Sequence, residues 1–148
     1  MRLIDNVIDQ IRDHNSSQKE NISSAINEAL LQVLNEMIEF SDDIEGAIVS
    51  SADGIALAER LPTGLDKHRF AAMSSALLAL SDSLGEEGQK GQTQNVLIES
   101  VNGKVFLMHA GANLLLTVFT NSQSQLGGCL AYARQATEQI AALADSGL

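Results

Sequence analysis

Ile44 to Arg60 reads IEGAIVSSADGIALAER, and the fold turns on this stretch. Two short apolar runs, Ala47-Ile48-Val49 and Ile55-Ala56-Leu57-Ala58, flank Ser50-Ser51-Ala52-Asp53-Gly54. Asp-Gly accepts the positive φ angles of a tight turn, so the pattern predicts a β-hairpin. A long amphipathic helix is expected before it and an Ala/Ser-rich helix after it. That order suggests a recognition module, not a catalyst.

Upstream, Ser17 and Glu20 stand at capping-box spacing, where a hydroxyl and a carboxylate satisfy the free N–H groups of a helix start. The helix they open runs to about Phe40 and buries Ile22, Ile26, Ala29, Leu30, Val33, Leu34, Met37 and Ile38. Before it, Leu3, Ile4, Val7, Ile8 and Ile11 recur at helical spacing, opposite Asp5, Asp9, Arg12 and Asp13. Residues 1–16 therefore read as an amphipathic helical extension to a domain spanning residues 17–145.

Downstream, Leu61-Pro62-Thr63-Gly64-Leu65 closes the hairpin and Asp66 is suited to N-cap a helix over about Lys67 to Leu84. That helix carries two stripes. Phe70, Met73, Leu77, Leu80 and Leu84 are spaced to pack on a sheet; Ala72, Ala76, Ala79 and Ser83 are small enough to admit a second copy of the same helix. Gly85 to Gly91 reads as a flexible connection. Three strands then follow, over Asn95–Glu99, Lys104–His109 and Leu114–Phe119, with an Asn102-Gly103 turn between the first two. The last two runs are apolar at nearly every position, which calls for cover on both faces. A final helix is expected over about Gln125 to Leu143. The expected fold class is α+β: a five-stranded antiparallel sheet with helices on both faces, in the order α-ββ-α-βββ-α, plus the extra N-terminal helix.

Composition narrows the function. The 148 residues carry a formal net charge of −10 and 3% aromatic residues without tryptophan. Such a chain repels phosphate backbones and has little to stack on bases, which argues against nucleic-acid binding. No stretch has the length and apolarity to insert in a membrane, and no secretory leader is legible, so a cytoplasmic protein is expected. The acidic residues are concentrated up to Glu45, and no basic residue occurs between Lys19 and Arg60.

Chemistry-bearing patterns are sparse. His14, His68 and His109 have no Cys or His at ligand spacing, so no metal is expected. Gly85 to Thr93 lacks the Gly-Lys-Ser/Thr ending of a phosphate loop. Cys129 reads as a small buried hydrophobe. No catalytic residue and no cofactor are assigned, and an enzyme acting alone is the least favoured class.

The chain resembles the Roadblock/dynein light-chain family in Gly46-Ala47-Ile48-Val49, Asp53-Gly54-Ile55-Ala56-Leu57-Ala58, Ala71-Ala72-Met73, Ala76-Leu77-Leu78-Ala79-Leu80, the meander from Val96 to Phe119 and Leu126-Gly127. The resemblance implies homodimers or heterodimers in which the first meander strand pairs with its copy and the Ala-rich helices lie side by side. It also implies action with Ras-like small GTPases, as activator or scaffold. Residue chemistry agrees with a dimer: Thr93 to Ile98 carries no charge, whereas bare sheet edges are ordinarily blunted by charge or proline.

The expected self-contact comprises Ala72, Ala76, Ala79, Ser83, Asn95, Val96, Leu97 and Ile98. The expected GTPase contact comprises Lys67, Ser74, Ser75, Leu78 and Asp82, with Leu78 the most diagnostic. Arg60, Arg69 and Arg134 are the arginines best placed to serve an activator, but none is singled out as catalytic. The rival reading is a structural dimerisation module with no nucleotide-dependent partner.

Overall fold

The computed structural model describes residues 24–147. Helix α1 occupies 24–40; strands β1 (Ile44–Ser51) and β2 (Ala56–Arg60) follow, then helix α2 (Lys67–Glu87). Strands β3 (Val96–Ser100), β4 (Gly103–His109) and β5 (Leu114–Thr120) lead to helix α3 (Leu126–Gly147). The expected stripe from Leu3 to Ile11, the Ser17–Glu20 capping box and the 1–16 extension lie outside the described residues.

All five strands form one antiparallel sheet in the order β2-β1-β5-β4-β3. The last strand thus inserts beside the first, and β2 and β3 are left at the edges. The turn residue Gly54 takes φ +85°, the conformation anticipated for the hairpin. Asp66 N-caps α2, its carboxylate accepting from the backbone N–H of His68 at 2.9 Å.

One sheet face carries Ala47, Val49, Phe106, Met108, Leu116 and Val118 into the main core. There they meet Leu30, Val33, Leu34 and Met37 of α1 and Cys129, Ala133, Ala136 and Ile140 of α3. The opposite face buries Ile48, Leu107, Leu115 and Thr117. It is covered by α2, which lies across β1, β2 and β4. Residues Leu114 to Val118 are buried without a break, as cover on both faces requires.

Helix α2 is rotated from the sequence expectation. Its buried residues are Ala71, Ser74 and Leu78, while Met73, Leu80 and Leu84 are 60–67% exposed. The large-residue stripe therefore does not pack on the sheet. Sheet polarity explains this. Buried Thr117 donates to Ser74 Oγ at 2.9 Å, and Ser75 donates to the carbonyl of Ala52. The serines hold the narrow side of the helix against the strands, since a buried hydroxyl without a partner is costly. Of the large stripe, Phe70 and Leu77 are partly buried, and Phe70 meets Phe119 edge-on with ring centroids 5.0 Å apart.

The expected flexible connection is instead ordered by backbone contacts. The helix continues through Gly85 to Glu87, and the carbonyl of Gly85 accepts from the N–H groups of Lys90 and Gly91 at 2.7 and 3.2 Å. A Cβ at position 85 would lie 2.3 Å from the Gly91 carbonyl oxygen, so glycine is what lets the loop return so closely.

Candidate docking face on helix α2 and strand β3

Strand β3 pairs only with β4, leaving its other margin without a strand partner among the described residues. Register fixes where its side chains go. Val96 and Ile98 stand opposite Leu107 and Val105, on the α2 side of the sheet; Leu97 stands opposite Phe106, on the core side. Leu97 and Ile98 are 41% and 37% exposed, and Asn95 and Val96 are partly buried. Ala72, Ala76, Ala79 and Ser83 all lie on the exposed side of α2, beside Met73, Leu80 and Leu84. The outward face of α2 thus joins a small-residue strip to a large apolar ridge, and the sequence reading found only the first as a contact surface. The missed signal was the pairing of mid-helix Ser74 with Thr117 on an otherwise apolar strand, which turns the bulky stripe outward.

The segment leading into β3 is held in place. Asp82 accepts from the backbone N–H of Thr93 at 3.0 Å, and its other carboxylate oxygen lies 2.9 Å from His109 Nε2 at the end of β4. Partial burial pushes the Asp82 carboxyl upward, but the Thr93 hydrogen bonds and His109 outweigh it and hold it below the usual carboxylate value. The Asn95 side chain, oriented to satisfy its neighbours, donates to the Gln94 carbonyl and accepts from Arg134 of α3 at 3.1 Å.

The five residues expected to contact a GTPase do not form one surface. Leu78 is 1% exposed and Ser74 5% exposed, both against the sheet, so neither reaches a partner from this protomer. Ser75 is partly buried and committed to Ala52, and Asp82 to Thr93 and His109. Lys67 is exposed, 3.7 Å from Glu59. The reason is again the rotation of α2: positions taken as its solvent flank form its seat.

The remaining chemistry-bearing groups are dispersed over the fold. Arg60 donates to Asn35 Oδ1 at 3.0 Å. Arg69 lies exposed in the first turn of α2. Cys129 is buried, and burial pushes its thiol above the ordinary value, away from the reactive thiolate. Among the described residues no three His, Cys, Asp or Glu side chains are grouped to hold a metal ion. No described helix is long and apolar enough to cross a membrane.

Comparison with known proteins accords with this architecture. The Roadblock/LC7 domain family matches residues 30–120. An uncharacterised protein of Methanocaldococcus jannaschii is 29% identical over 103 residues, covering 70% of this chain and 90% of that one. An MglB solved in a tetrameric arrangement superposes with a TM-score of 0.78 at 20% identity, covering 84% and 93% of the two chains. Myxococcus xanthus MglB gives 0.76 at 13% identity, covering 82% and 92%. The chain belongs to the Roadblock/LC7 domain family.

Proposed function

We propose that this Roadblock/LC7-domain chain is a non-catalytic homodimeric regulator or scaffold of a Ras-like small GTPase. The observation that carries the reading is the coincidence of two incomplete surfaces: the unpaired edge of β3 and the apolar outer face of α2. An exposed, uncharged strand edge is an aggregation template unless something pairs with it. A second copy pairs with it by symmetry, since a two-fold interface is self-complementary. Pairing β3 with its copy extends the sheet, and α2 with its copy then forms a two-helix platform. Membership of the family, several of whose prokaryotic members act with Ras-like GTPases, supports that platform as the place where the nucleotide-binding partner docks.

With Leu78 and Ser74 in the protomer core, the GTPase contact moves to what α2 still offers outward, chiefly its exposed N-terminal turn around Lys67 and the ridge not consumed by self-contact. The test is co-elution of the full chain with Ras-like GTPases of the same genome, each loaded with GDP or with a non-hydrolysable GTP analogue. The reading expects a complex of two copies of this chain with GTPase that depends on the bound nucleotide. A stable dimer that binds none of them in either state would favour a dimerisation module without a nucleotide-dependent partner. A monomer would remove both readings.

A further inference from the structure

On the sheet face away from α2, the outer sides of α1 and α3 do not close over each other. Between them runs an apolar groove. One end is a cleft of about 250 Å³ lined by Met37, Phe40, Tyr132 and Ala136. The other is lined by Ala29, Ala142 and Leu143, and Val33, Glu36 and Gln139 border both. Phe40 is 72% exposed and Tyr132 38%. We propose that this groove is the seat of the chain's own N-terminal segment, with Leu3, Ile4, Val7, Ile8 and Ile11 packed into it.

Dimensions and chemistry agree. As a helix, Leu3 to Ile11 is about 13 Å long, and the groove from Ala29 to Phe40 extends about 16 Å along α1. The described chain begins at residue 24, one and a half turns from Ala29, so the segment is tethered at the mouth of the groove. The intervening residues, 12–23, span up to about 40 Å when extended and reach any point along it. At helical spacing the segment's five aliphatic side chains fall on one stripe. The family match starts at residue 30, so the segment lies outside the matched residues. A tethered segment also outcompetes a free one, because its effective concentration is set by a short link. The inference stands independently of the GTPase reading.

Thiol accessibility along α3 tests it in the full chain. The native thiol, Cys129, is buried. Gln139→Cys places a reporter in the groove, and Glu138→Cys places one about 100° around the same helix, outside the groove lining. With a bulky maleimide, position 139 should label severalfold more slowly than position 138. Adding Val7→Asp with Ile8→Asp should bring the two rates together while Cys129 stays unreactive, which shows the domain still folded. If Cys129 becomes reactive, Val7→Ala with Ile8→Ala replaces that pair, removing apolar area without adding charge. Equal rates at 138 and 139 in the parent chain would overturn the proposal. So would protection that survives both stripe variants. Protection that disappears on dilution would also overturn it, by assigning the groove to the segment of a second copy.

Discussion

The sheet has two edges, and they are finished in opposite ways. Edge strand β2 reads ALAER: Glu59 is near Lys67, Arg60 reaches Asn35 on α1, and Pro62 stands two residues beyond. Charge, side-chain tethers and a proline all discourage another strand from joining there. Edge strand β3 begins Val96-Leu97-Ile98, with no charge before Glu99 and an apolar helix ridge on the same side of the molecule. One edge is closed to strand addition and the other left open, within a single antiparallel sheet. The contrast supports β3 as the edge at which the proposed second copy would pair.

The largest effect should come from giving β3 the character of β2. Leu97→Lys with Ile98→Lys puts like charges across the proposed two-fold axis, where such juxtapositions cost several kcal/mol. Dimer dissociation should rise on the order of 1,000-fold, or about 4 kcal/mol. Light scattering should then report the monomer mass at concentrations where the parent chain is dimeric, with an unchanged circular dichroism spectrum. A parent chain that is already monomeric would end the comparison.

Leu78→Ala separates fold from assembly. Its side chain is almost fully buried beneath α2, so truncation should cost about 3 kcal/mol of unfolding stability through lost burial and a residual cavity. Chemical denaturation of the variant should show that loss, while the native species keeps the parent's mass. A selective loss of GTPase binding with unchanged stability would instead return Leu78 to the docking surface.

Much of this architecture was legible before any coordinate, and the part that was not has a specific cause. The hairpin at Asp53-Gly54, the cap at Asp66 and the doubly buried run Leu114 to Val118 each follow from local chemistry or a period of two. The exposed edge at Leu97 and Ile98 was equally readable, because uncharged strands at sheet margins are uncommon. The face of α2 was not. Large residues at helical spacing ordinarily mark the buried stripe, but here Ser74 answers Thr117, a tertiary partner 43 positions away. Local periodicity carries no information about that partner, so the expected buried face is about a third of a turn out of phase. The docking residues inherited the same error.

Asp82 offers a gentler way to disturb the open edge alone, because it fixes Thr93 just ahead of β3 and has no counterpart at β2. Asp82→Asn keeps the shape but loses the charge that His109 and the Thr93 N–H favour, and should cost about 1 kcal/mol, as partly exposed charged hydrogen bonds do. The folded-state carboxyl lies below its unfolded value, so its stabilisation is present above the ordinary aspartate range and is lost as pH falls through the lowered folded value. Stability of parent and variant should therefore converge on acidification below about pH 4. A difference that persisted undiminished at the acid end would assign the loss to packing instead of charge.

The smallest change in monomer stability should come from the reverse experiment, opening the closed edge. Glu59→Val with Arg60→Val removes the charges from β2 and supplies β-branched residues suited to a strand. Both positions lie at the margin of the sheet, so the fold itself should shift by about 1 kcal/mol or less, the Asn35 contact included. Association should respond more than stability. A protomer with two receptive edges can no longer stop at a closed pair; each dimer presents fresh strands at both ends and can add further copies. Sedimentation should show species heavier than the dimer that grow with concentration, while adding Leu97→Lys and Ile98→Lys should confine assembly to the newly opened side. If the variant remains dimeric at every concentration, the β2 charges are not what closes that edge, and Pro62 and the Leu61 to Leu65 turn become the features to change next.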